Sequence, residues 1–102
     1  MPDLLQALAE PRRRVILRLV WNQEREAGEI HRAMREVTFG AVSQHLRVLR
    51  EAGAVRARRD GRRRLYRANR GILRPLQTYL EMMWAGALGQ LKSLAESEER
   101  KR

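Results

Sequence analysis

Residues 38–69, TFGAVSQHLRVLREAGAVRARRDGRRRLYRAN, constrain this chain more than any other segment. At 100° per residue, Val42, Leu46 and Leu49 fall on one side of a helix, and Gly40, Ser43, Gln44, Arg47 and Glu51 fall on the other. Thr38 suits the N-cap, because its hydroxyl can accept an unpaired amide of the first turn. Gly53 stands where a left-handed C-cap residue is expected. The helix is therefore bounded at both ends, over about 38–52. Beyond it, residues 54–59 and 64–68 alternate apolar and basic side chains about Asp60-Gly61. Asp-Gly favours positive φ at both central positions, the type I′ geometry of a tight hairpin. Val55, Ala57, Tyr66 and Ala68 are expected to face a core. Arg56, Arg58, Arg59, Arg62, Arg63 and Arg64 are expected on the open face and at the tip. A two-stranded ribbon is marginal alone, so it must lean on neighbouring helices.

The same segment carries the charge. Residues 47–70 hold ten arginines against Glu51 and Asp60, a net of +8 out of the +10 of the whole chain. A genome-wide bias toward arginine codons accounts for twenty arginines against two lysines as well as function does. It does not account for the clustering. A local basic surface is the electrostatic footprint of a nucleic-acid binder.

The remaining segments read as helices. Residues 3–9 form a short apolar helical patch that Glu10-Pro11 interrupts, and Pro11 suits the first turn of the next helix. That helix carries Val15, Ile16, Leu19 and Val20 at helical spacing, with Arg12, Arg13, Arg14 and Arg18 off that face. A break falls near 22–27. A short third helix over about 28–34 is expected to bury Ile30, Ala33 and Met34, and it reaches Thr38 through a tight connection. Two short helices so joined give the helix-turn-helix pattern, here over 28–52. Last comes a long helix over about 74–96, with Pro75 in its first turn and 70–73 as a lead-in. Its apolar stripe, including Leu80, Met83, Trp84, Ala87, Leu88, Leu91 and Leu94, is wider than one packing face requires, which suggests a second copy of the chain as partner. Residues 97–102 are expected to fray.

The length of 102 residues fits one domain over 1–102 with a modest core, mainly α with a small β-hairpin. The absence of cysteine excludes thiolate metal sites and cysteine nucleophiles. No signal peptide and no run of ~18 apolar residues is found, so the expected place is the cytoplasm, with no membrane partner. No nucleophile-base pair, phosphate-cradling glycine loop or metal constellation stands out, so neither an enzyme nor a cofactor is expected.

ALAEPRRRVILRLV over 7–20, VSQHLRVLREAGAV over 42–55 and the arginine-rich RRDGRRRLYRAN over 58–69 together resemble the winged helix-turn-helix repressors of the ArsR/SmtB family. With the last helix the resemblance covers nearly the whole chain. It implies about five helices with a two-stranded wing over 54–68. It also implies a homodimer seamed by the first and last helices, with Leu4, Leu5 and Leu8 from the first, and repression from a palindromic promoter site. The closest similarity is to the SdpR-like subgroup without metal sites, which keeps a tryptophan where Trp84 stands. Metal sensors of the family use cysteine clusters or paired carboxylates and histidines. Here the only histidines are His31 and His45, so metal sensing is not expected.

On this reading Thr38, Phe39, Gly40, Ala41, Ser43, Gln44, His45 and Arg47 face double-stranded DNA. The small Gly40 and Ala41 let the helix approach the groove floor. Gln44 has the amide that suits adenine, and Arg47 suits guanine or a phosphate. The family's Ser-x-His pair touches DNA, which assigns that role to Ser43 and His45, yet His45 also fits a packed role inside the domain. Phe39 fits either thymine methyls or the top of the core. His31 reads as a surface residue. Arg58, Arg59, Arg62, Arg63 and Arg64 of the wing would hold phosphates or enter a minor groove. An alternative function is a protein-interaction module on the same frame. A small-molecule effector of unknown identity, seated near Met82, Met83 and Trp84, stays open.

Overall fold

The computed structural model describes residues 3–100, with side chains described as far as Gly86. Among these residues the chain forms α1 (Leu4–Ala9), α2 (Pro11–Leu19), α3 (Ala27–Ala33), α4 (Phe39–Glu51), β1 (Val55–Asp60), β2 (Arg63–Ala68) and α5 (Arg70–Arg100). Asp3 caps α1 by accepting from the Leu5 amide, and Glu10 caps α2 by accepting from the Arg13 amide. Pro11 opens α2 as expected. The last carbonyls of α1 have no helical partner, and two arginines of α2 turn back to supply one. Arg13 donates through Nε to the Ala7 carbonyl at 2.6 Å, and Arg14 donates through Nη1 to Leu8 and Ala9 at 2.8 and 3.0 Å. These guanidiniums are structural clasps as well as surface charge.

Ile16, Val20, Ile30, Met34, Val42, Leu46 and Leu49 are fully buried and join α2, α3 and α4 in one core. Leu17 is buried too, although the expected stripe of α2 omitted it. Ala33, in contrast, is exposed: Ile30 and Met34 lie one turn apart on the inner side of α3, and Ala33 is rotated away from it. The break after α2 also holds more structure than expected. Arg25 pairs with Tyr66, each amide donating to the other's carbonyl, so an isolated bridge ties this segment to the edge of β2.

The end of α4 is built as a Schellman motif. The Ala54 amide donates to the Leu49 carbonyl at 2.8 Å and the Gly53 amide to Arg50 at 3.0 Å, with Gly53 at φ 83°. A Cβ there would meet only ordinary contact with Ile72, so the cost of a side chain is the backbone's own. Gly53→Ala should therefore destabilise the domain by roughly 1–2 kcal/mol. A urea midpoint equal to that of the parent protein would show that this end can relax without the left-handed residue.

β1 and β2 pair antiparallel with Asp60 opposite Arg63. The two loop residues are therefore Gly61 and Arg62. Only Gly61 has positive φ, at 63°. That pattern belongs to a type II′ turn, with glycine first, and replaces the expected type I′ turn centred on Asp60-Gly61. The register puts Val55, Ala57, Tyr66 and Ala68 on one face, as expected, with Val55 and Ala68 buried. It also moves Arg59 and Arg64 onto that face, beyond the core, because strand side chains alternate strictly. α5 starts at Arg70, four residues before the expected point, because the Asn69 carbonyl accepts the amides of Ile72 and Leu73 and nucleates the helix. It continues through the segment expected to fray, as far as Arg100.

Candidate nucleic-acid interface

Helix α4 presents a free face. Its N-terminus is held by Thr38, whose Oγ1 accepts from the Ala41 amide at 3.0 Å. Val42, Leu46 and Leu49 anchor the helix in the core, while Phe39, Gly40, Ser43, Gln44 and Arg47 are exposed and Ala41 is half-buried. Arg47 donates to Glu51 one turn on, at 3.0 Å, with both side chains well solvated. Such a pair is worth little, so Arg47 is readily released to a stronger anion.

His45 is half-buried, with Nδ1 accepting from Arg13 Nη1 at 3.4 Å. Burial lowers the pKa of the ring below the ordinary histidine range; Glu10 opposes this, and Arg13 and Arg12 add to it. The neutral ring is therefore the folded form, and the unfolded chain takes up the proton first as pH falls. Stability should drop as pH is lowered through about 6.5 and below. His45→Gln, measured by unfolding between about pH 7.5 and 5.5, should flatten that dependence; an unaltered slope would assign it to other groups. Phe39 is 50% exposed and meets His31 edge-on, ring centroids 5.8 Å apart, so it does not close the core. His31 is half-buried, with Nε2 3.0 Å from the Val37 carbonyl, which ties α3 to the connection before α4. Its place is structural rather than a surface position.

The wing arginines divide into two sets. Arg58 forms a two-pronged pair with Glu24, at 2.6 and 2.9 Å, and its guanidinium holds the Glu24 carboxyl below the usual carboxylate range. Arg63 pairs with Glu26 and lies 3.7 Å from Glu29. Arg59, Arg62 and Arg64 are exposed and have no ion-pair partner among the described residues. Glu24, Glu26 and Glu29 belong to no motif that marks a site in the sequence. Their signal was local: Glu24 and Glu26 flank Arg25, so when Arg25 joins β2 both carboxylates fall on the opposite face of the sheet, where Arg58 and Arg63 project. Leu65 is buried on that face, opposite Arg58.

Leu8, Leu17, Trp21, Leu73, Leu76 and Leu80 line an apolar groove of about 300 Å³. Leu4 is half-buried and Leu5 exposed on α1. Along α5, Tyr79, Met83 and Trp84 are 61%, 53% and 65% exposed. The side chains of Ala87, Leu88, Leu91 and Leu94, expected in the same seam, lie outside the described residues. Among the described residues no group of three or more His, Asp or Glu could hold a metal ion, and no helix is long and apolar enough to cross a membrane.

Residues 10–57, which span α2 through the first half of β1, match the family model for bacterial regulatory proteins of the arsR family. Over 93 residues the chain is 39% identical to the HTH-type transcriptional regulator Rv2034 of Mycobacterium tuberculosis, covering 91% of this chain and 86% of that one. The chain belongs to the arsR family. It is a transcriptional regulator with a winged helix-turn-helix DNA-binding domain, not an enzyme. Two solved structures carry the same fold. One is a possible transcriptional regulator for arsenical resistance, with 38% identity, a TM-score of 0.70, and coverage of 82% of this chain and 86% of that one. The other is the homodimeric winged helix-turn-helix DNA-binding domain Mb0332 of Mycobacterium bovis, with 30% identity, a TM-score of 0.67, and coverage of 80% and 75%.

Proposed function

We propose that this arsR-family chain is a homodimeric repressor that binds a palindromic operator, of the SdpR-like kind that senses no metal, working in the cytoplasm. The observation that carries this is the free face of α4: Gly40, Ser43, Gln44 and Arg47 lie exposed on a helix that is capped at both ends and locked into the core. A rigid helix with small residues at its front can enter a major groove, with Gln44 suited to adenine and Arg47 to guanine. Arg59, Arg62 and Arg64 would add phosphate contacts from the wing. Exposed Leu5, Met83 and Trp84 supply an apolar seam for the second copy, and the Mycobacterium bovis relative is a homodimer.

The test is selection of bound duplexes from a random library with the folded protein. Inverted repeats with half-site centres about 34–36 Å apart are expected. Gln44→Ala should relax the preference at one position of each half-site, at a cost of about 1–3 kcal/mol. Failure to enrich any duplex at moderate salt would remove sequence-specific DNA binding, and a uniform loss over all sequences would remove Gln44 from base reading.

A further inference from the structure

The outer face of the wing holds a charge cluster that the DNA-facing arginines do not explain. Arg56 and Arg67 are directly opposite each other in the hairpin register, and like charges so placed repel. Together with Arg70, the first residue of α5, they line a groove of about 590 Å³ at the base of the wing. The one acid lining it, Glu24, is engaged by Arg58 and attracts Arg67 only from beyond ion-pair distance. Arg56, Arg67 and Arg70 have no carboxylate within ion-pair distance among the described residues, although Arg67 and Arg70 are half-buried. Like charges held opposite each other in a hairpin cost stability unless an anion sits between them.

Two features direct the groove away from the DNA. Arg56 and Arg67 project from the face opposite Arg59 and Arg64. Each also stands five residues from the loop, about 17 Å from the wing tip at ~3.3 Å per residue. We propose that this groove binds the phosphoryl group of a small phosphorylated molecule, held by Arg56, Arg67 and Arg70. Guanidinium forks match phosphate oxygens in geometry and charge, and the groove has the size of a small-ligand site. An occupant would join the wing to the first turn of α5, and so connect the hairpin to the helix that carries the dimer seam. That consequence rests on the dimeric repressor reading; the binding itself does not.

The probe is inorganic pyrophosphate, titrated calorimetrically into the full chain with ionic strength held by chloride. Saturable binding of one anion per chain is expected. Arg56→Gln with Arg67→Gln should weaken it at least tenfold, and Arg59→Gln with Arg64→Gln, which removes the same charge from the other face, should leave it within twofold. Arg70→Gln tests the site without touching the hairpin and should weaken binding at least threefold. Heat indistinguishable from the chloride control, or equal weakening by both hairpin pairs, would overturn the proposal. Duplex binding separates the remaining source of phosphate. The salt slope of the Arg56→Gln, Arg67→Gln protein should equal that of the parent, whereas a fall of about three or more would make these arginines DNA-backbone contacts and end the small-molecule assignment.

Discussion

Replacing Arg59, Arg62 and Arg64 together by alanine is expected to weaken duplex DNA binding by about a hundredfold or more near physiological salt, and to remove roughly five from the log-log salt slope. The arithmetic follows from the dimer: three arginines per protomer give six phosphate contacts, each releasing counterions worth about 0.9 in slope. None of these three is engaged by a described carboxylate. Arg58 and Arg63 should behave otherwise, since Glu24, Glu26 and Glu29 already compensate them. Arg58→Gln with Arg63→Gln should take less than about two from the slope. Its main effect should be a looser wing, seen as faster amide exchange in β2. Equal slope losses in the two proteins would mean that DNA displaces the ion pairs and that the division has no consequence for binding.

Leu80→Glu combined with Trp84→Glu should convert the protein from dimer to monomer at micromolar concentration. The two residues are one turn apart on α5 and both exposed, Leu80 lining the groove with Leu8, Leu17 and Trp21 and Trp84 one turn beyond it. Burying two carboxylates in an apolar seam costs several kcal/mol each unless they are paired. A monomer still reads one half-site but loses the bivalent gain of about 10²–10⁴ in operator affinity. Sedimentation velocity gives the mass and a half-site duplex gives the residual binding. A dimer that survives both charges would place the seam elsewhere on the molecule.

Much of this architecture is legible in the sequence because local rules and tertiary packing agree there. Thr38 and Gly53 mark the ends of α4, and Val42, Leu46 and Leu49 mark its inner face, with no help from the rest of the fold. The readings that failed depend on partners distant in sequence. The turn sits one residue later than Asp60-Gly61 suggests because β2 is held in register by Arg25 and by the Ala68 amide on the Val20 carbonyl. His45 could not be placed until Arg13, thirty-two residues away, turned back toward it. The wing arginines read as one basic run, and only the sheet register separates the carboxylate-bound from the free. Leu17 escaped notice because it serves the α5 side rather than the stripe facing α4.

Asn69 bears on how the proposed repressor would let go of an operator. Its amide donates to the Ala54 carbonyl at 2.9 Å, and its Nδ2 donates to the Gly53 carbonyl at 3.1 Å, so the end of the reading helix is riveted to the start of α5. In the proposed dimer, helices tied together in this way would move as one about the dimer axis. In a dimer whose readers stand ~34 Å apart, each lies about 17 Å from that axis. A rotation of roughly 11° shifts it by one base-pair rise of ~3.4 Å. Release would need no unfolding and no contact with the DNA, only a signal that tilts the fulcrum by that small angle.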